Sequence, residues 1–145
     1  MTVSSLLKNK ESQLFTTTKD TLVGDCITLM NQKKIGALVV VAQAGTLDGI
    51  ITERDILRAL SGNKGSIENL LVSEVMTPRE KLITTDSKNS VANIMDVMTK
   101  NRIRHLPVMD DGKLIGIVSI GDVVKNRLEQ TLVENESMKN YITGF

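Results

Sequence analysis

Two short stretches carry the residue types that could hold a ligand. One is Gly49-Ile50-Ile51-Thr52-Glu53-Arg54-Asp55, and the other, 67 residues later, is Gly116-Ile117-Val118-Ser119-Ile120-Gly121-Asp122. Each reads as a short buried strand that runs into a helix, with a hydroxyl residue at the join and an aspartate three positions on. A helix N-terminus offers unpaired N–H groups and the positive end of the helix dipole. Aspartate in that first turn can accept two hydrogen bonds from a vicinal diol such as a ribose, and the hydroxyl can bond a sugar or phosphate oxygen. The same spacing is close to a capping box, with Asp where Glu or Gln is usual. On spacing alone, ligand binding and helix capping both stand.

Arg102-Ile103-Arg104-His105-Leu106-Pro107-Val108 sets three nitrogen-rich side chains just before an apolar run. Arginine forks onto phosphate oxygens and histidine can donate to them, although a solvated basic helix end uses the same residues. The matching place in the first stretch is Lys34-Ile35-Gly36-Ala37, which lacks the basic pair. A phosphate is therefore expected at the second loop. Thr16-Thr17-Thr18 and Thr84-Thr85-Asp86 each precede a helical pattern, and their hydroxyls either cap and turn the chain or line a polar pocket. His105 has no carboxylate partner close in sequence, and no nucleophile elbow, P-loop or dinucleotide fingerprint is present. The chain is not expected to be an enzyme.

The elements that must position these residues come twice. Gln13 to Thr17 reads as a short strand, and Leu22, Val23, Cys26, Ile27, Leu29 and Met30 as one face of a helix capped by Asp20 or Thr21. Strands follow at Ala37 to Val41 and Leu47 to Ile51, then a helix from Glu53 to Leu60. Ile67 to Val72 adds a helical turn that ends at Val75-Met76-Thr77-Pro78. Leu82 to Thr85 then matches Leu14 to Thr17, and a helix from Val91 to Lys100 matches the one at Val23 to Met30. Ile103 and Leu106 match Ile35 and Leu38 at an offset of 68, while Leu114, Gly116 and Asp122 match Leu47, Gly49 and Asp55 at 67. Pro107 belongs at a strand's edge or first position. Repetition of this kind signals internal duplication. Halves of ~50 residues are marginal alone, so they should pack on each other. Leu128 to Phe145 reads as a helix with Leu128, Leu132, Asn135, Met138 and Ile142 on one stripe, which calls for a partner surface or dimer contact, or else packs back on the chain's own core.

Composition narrows the function classes. Of 145 residues 41% are hydrophobic, almost all aliphatic, with one Tyr and two Phe. So few aromatics do not support base-stacking on nucleic acid. A net charge of +1 predicts no strong attraction to DNA or membrane. No apolar run approaches the roughly 20 residues of a membrane span. Met1 to Lys10 lacks the apolar core of a signal peptide, which makes the cytoplasm the expected compartment. One cysteine and one histidine cannot form an internal disulfide or a typical zinc site.

Val75-Met76-Thr77-Pro78, Arg104-His105-Leu106-Pro107-Val108 and the two strand–helix joins together resemble a stand-alone pair of CBS domains, a Bateman module. The resemblance implies an α/β fold of tandem CBS repeats, two β-α-β-β-α units packed with pseudo-two-fold symmetry. It implies CBS domain 1 at 8–62, a linker at 63–74, CBS domain 2 at 75–130 and a helical tail at 131–145. It also implies adenosyl ligands in clefts between the units: AMP, ADP or ATP first, NAD(H) or S-adenosylmethionine next, with no metal required. Asp55 and Asp122 would hold ribose hydroxyls, one per cleft, and Thr52 and Ser119 would contact ribose or phosphate. Arg104 and His105 would face phosphates, Thr16 and Thr84 would lie near the base or ribose, and Arg54 joins this ligand-binding set. The departure at Gly36-Ala37 makes the two clefts unequal. The implied role is a regulatory, energy-sensing module, commonly a homodimer, that signals to a partner protein. The competing reading is a structural or interaction module without a nucleotide.

Overall fold

Two separate apolar clusters organise the computed structural model, which describes residues 1–10, 14–63 and 65–143, with side chains described as far as residue 138. The first cluster contains Val23, Cys26, Met30, Leu38, Val40 and Ile51, together with Ile67 and Val72 from the connecting segment. The second contains Val91, Ile94, Met98, Leu106, Val108, Val118 and Val123, together with Val3 and Leu6 from the start of the chain. Each core is thus completed by a lead segment. Residues 67–78 serve the first repeat and residues 1–10 the second.

In chain order the elements are α1 (Val3–Lys8), β1 (Thr16–Thr17), α2 (Val23–Lys33), β2 (Ala37–Val41), β3 (Leu47–Thr52), α3 (Glu53–Gly62), α4 (Val72–Val75) and β4 (Thr77–Pro78). A 3-10 turn (Arg79–Lys81) leads to α5 (Val91–Asn101), β5 (His105–Asp110), β6 (Lys113–Ser119) and α6 (Ile120–Thr143). The first sheet has the order β1-β2-β3-β4, with β1 parallel to β2 and the other pairs antiparallel. The second sheet pairs β5 and β6 antiparallel. Continuous β-branched and aliphatic runs make β2 and β3, because both faces are covered: Leu38, Val39, Val40 and Ile51 are fully buried. This is the mixed α/β fold of a repeated unit that the resemblance implies, β-α-β-β-α in the first half and α-β-β-α with a single entrance bridge in the second.

The lead segments dock alike. Val3 N donates to Asn89 O at 2.9 Å and Ser4 N to Ser87 O at 2.9 Å; Val72 N donates to Thr21 O at 2.8 Å and Ser73 N to Lys19 O at 3.1 Å. This docking corrects the expected cap of α2. Neither Asp20 nor Thr21 caps it; Leu22 is the N-cap and has no side-chain bond to give. Instead Val23 N donates to Leu70 O at 2.8 Å and Gly24 N to Glu68 O at 3.1 Å, so the connecting segment's carbonyls take the free amides. That use of residues 68–70 also shifts the expected helical turn from Ile67–Val72 to Val72–Val75.

Other boundaries move for equally local reasons. Helix α3 runs two residues past Leu60, closed by Asn63 N donating to Ala59 O at 2.9 Å. Thr77–Pro78 is not just a helix stop but an edge strand paired to Gly49 and Ile50. The expected strand at Leu82 to Thr85 shrinks to one parallel bridge, Thr85 to Val108. Pro107, third in β5 on an edge strand of a two-stranded sheet, explains the loss. It stands where the first repeat has Val39, whose amide donates to Phe15 O at 3.4 Å, and proline has no such donor. The tail helix is continuous with the second join as α6. Gln13, at the start of the first expected strand, Gly144 and Phe145, and the side chain of Ile142 lie outside the described residues.

Candidate functional site

At the first join, β3 ends at Thr52 in an extended conformation and α3 begins. Asp55 N donates to Thr52 Oγ1 at 3.2 Å, and Thr52 N donates back to Asp55 Oδ2 at 3.0 Å. This is a reciprocal capping box. Thr52 Oγ1 also donates to Asp55 Oδ2 at 3.0 Å, and Thr77 Oγ1, from β4, donates to Asp55 Oδ1 at 2.9 Å. Arg58 adds an ion pair at 3.5 Å from a side chain that is 71% exposed. The aspartate itself is 4% exposed, so its charge is held by Thr52, Thr77 and Arg58.

The second join repeats the box. Asp122 N donates to Ser119 Oγ at 3.2 Å and Ser119 N to Asp122 Oδ2 at 2.8 Å. Here the further partner is a cation. Lys10 Nζ donates to Asp122 Oδ2 at 3.0 Å and to Ile117 O at 2.8 Å. Sequence reading missed both Thr77 and Lys10 as partners of the aspartates. The repeat offset carries the signal: Thr77 and Lys10 are 67 positions apart, as are Asp55 and Asp122.

A cavity of about 430 Å³ opens in front of the first join. From the first repeat it is lined by Gly36, Thr52, Glu53, Arg54 and Asp55, and from the second by Arg102, Arg104 and His105. Ile83 and Leu82 add apolar wall beside Thr77. The basic loop therefore lines the cavity of Asp55, on the other repeat, while His105 also lies within charge range of Asp122 of its own. Ile120 N donates to Arg104 O at 2.8 Å, which ties the loop's main chain to its own join. Gly36 suits this placement, since a Cβ there would meet His105 Cε1 and Glu53 Cδ at 3.4 Å.

Arg54 lines the cavity but is engaged, with Nη1 donating to Arg102 O at 2.6 Å. Ser119, Asp122, Thr16 and Thr84 do not line it. Thr16 is exposed on β1 and Thr84 half-buried beside the Thr85 bridge. Burial pushes the His105 imidazole below its usual range, and the Lys10 ammonium adds to that. The Glu53 and Asp122 carboxylates pull it back up, and Arg104 pushes it down slightly. His105 thus sits among two carboxylates and two cations. Burial likewise raises the Cys26 thiol, which Thr17 contacts at 3.4 Å, so it is a poor nucleophile. Among the described residues no group of three or more His, Cys, Asp and Glu side chains could hold a metal ion. Nor is any described helix long and apolar enough to cross a membrane.

The CBS domain family matches twice, at residues 7–62 and 72–129. The chain belongs to the CBS domain family. The CBS pair is 42% identical to the CBS domain-containing protein CBSX3, mitochondrial, of Arabidopsis thaliana, over 99% of this chain and 72% of that protein. A solved structure of a putative signal-transduction protein with CBS domains from Burkholderia ambifaria MC40-6 is 41% identical. It superposes with a TM-score of 0.82 over 89% of this CBS pair and 95% of that chain. The CBS domain pair of protein MJ0100, solved with 5'-methylthioadenosine and S-adenosyl-L-methionine, is 27% identical with a TM-score of 0.75, over 90% and 98% of the two chains.

Proposed function

We propose that this CBS pair is a regulatory module that binds an adenosyl ligand in the Asp55 cleft and passes its occupancy to another protein. One observation carries the reading. The cavity sets the N-terminus of α3, with Thr52 and Asp55, against Arg104 and His105 of the other repeat. A ribose diol would replace Thr77 and Arg58 on Asp55, the latter a mostly exposed side chain that can swing into water. A phosphate would then lie towards Arg104 and His105, which suits AMP, ADP or ATP. Ligands that bridge the repeats bind one relative arrangement better than another, which is what a signal requires. MJ0100's adenosyl ligands support the ligand class. Leu128, Leu132, Val133 and Met138, each exposed on α6, support assembly with a second copy of the chain.

Calorimetry of the full chain with AMP, ATP, NADH and S-adenosylmethionine tests this. Saturable binding of at least one is expected. Asp55→Asn should weaken it at least tenfold, about 1.4 kcal/mol, because an amide keeps the capping oxygen but loses one diol acceptor. Absence of heat at millimolar concentration of all four ligands rules the reading out.

A second reading has its own observation. Both aspartates already complete capping boxes, and Asp55 Oδ1 and Oδ2 are each bonded already by the chain's own residues. A purely structural CBS pair would show no rise in melting temperature with any of these ligands.

A further inference from the structure

The two joins are copies, yet only one of them opens on the 430 Å³ cavity. The difference lies in what meets the aspartate. At Asp55 it is the Thr77 hydroxyl, neutral and free to rotate, and the exposed Arg58. At Asp122 it is the Lys10 ammonium, 18% exposed and tied at once to the carboxylate at 3.0 Å and to the Ile117 carbonyl at 2.8 Å. A rotating hydroxyl yields to a ligand and finds another partner. Removing a carboxylate from a half-buried ammonium leaves a charge without its counter-ion, a much larger penalty. The loop that would offer phosphate contacts to the second join by the repeat's symmetry is Gly36-Ala37, which has no cation.

We infer that Lys10 is a built-in occupant of the second cleft: its ammonium takes the place of a ligand's diol on Asp122, and each chain accepts one adenosyl ligand, at Asp55. This rests on the reading of Asp55 as a ribose site. Lys10 is then the residue that decides stoichiometry. It also ties the lead segment at residues 1–10, whose Val3 and Leu6 lie in the second core, to the state of that cleft.

The test is calorimetric stoichiometry with AMP and with S-adenosylmethionine on the full chain, for wild type, Lys10→Thr and Lys10→Met. Threonine copies the residue at 77; methionine keeps the apolar stem and removes the charge, so one variant remains informative if the other does not fold. One ligand per chain is expected for wild type and two for a folded variant. Asp122→Asn added to the variant should return the count to one. Two ligands in wild type, or one in both folded variants, overturns the inference while leaving the Asp55 reading intact. None in wild type but one in a variant supports Lys10 as occupant and removes the Asp55 reading. No binding in any form overturns both.

Discussion

Arg54 Nη1 donates to the carbonyl oxygen of Arg102 at 2.6 Å, so a side chain in the first turn of α3 closes the last turn of α5 in the other repeat. Arg102 is the C-cap of α5, left-handed at φ 53°, and its carbonyl sits at the negative end of that helix. The contact spans the two repeats at the rim of the cleft. Arg54→Ala should lower stability by about 1 kcal/mol or less, since the donor is charged but solvent-exposed. Differential scanning calorimetry would register that as a drop of a few degrees. Arg54→Lys should recover only part of it, because a single ammonium lacks the fixed fork.

Gly49 pairs with Pro78 across β3 and β4, and a Cβ at 49 would collide with the Thr77 carbonyl oxygen. Backbone cannot move aside as a side chain can. Gly49→Ala should destabilise the fold by about 2 kcal/mol. It should also pull Thr77 away from Asp55. Urea denaturation reads the first effect; a change in ligand affinity out of proportion to the stability loss reads the second.

His105 sets a pH dependence. Its folded pKa lies below the unfolded value because burial, and then Lys10, disfavour the imidazolium. The unfolded chain therefore binds the proton first as pH falls. Stability from this group is complete above about 6.5 and is lost as pH drops from there through the folded pKa. Melting temperature should fall between pH 7 and pH 5.5, and His105→Gln should flatten that part of the curve. A bound phosphate in the cleft would favour the cation and shrink the same slope. Asp110, depressed by bonds from Ser87, acts in a separate window, losing its contribution only as pH falls below about 3.8.

Pro107→Val should restore the donor that shortened the second repeat's entrance strand. Thr85 N already donates to Pro107 O at 3.0 Å and Met109 N to Thr85 O at 2.8 Å, so the new amide would face Ile83. One added bond contributes about 1 kcal/mol. Losing proline's restriction of the unfolded chain costs about as much. Net stability should stay level, and hydrogen exchange is the better readout: the amide at 107 should be strongly protected.

The sequence by itself determined the duplication, most of the element types and both joins. Thr52-x-x-Asp55 and Ser119-x-x-Asp122 are local patterns, set within four residues by backbone amides and a nearby side chain, so they can be read without a fold. Ala37 to Val41 was legible for a similar reason, since a run of buried β-branched residues has few other uses. Tertiary structure alone decided which groups share a cleft. Arg104 and Asp122 lie in one repeat and 18 positions apart, yet the Arg104 side chain lines the cavity of Asp55. Packing of the two copies brings the Arg104 and His105 side chains to the Asp55 join, and spacing along the chain carries no trace of that. Lys10 reaches Asp122 across 112 positions because the lead segment crosses to the second repeat, where Val3 and Leu6 find their burial. The departure at Gly36-Ala37 was legible in the sequence, and the fold determined that the cavity opens at Asp55.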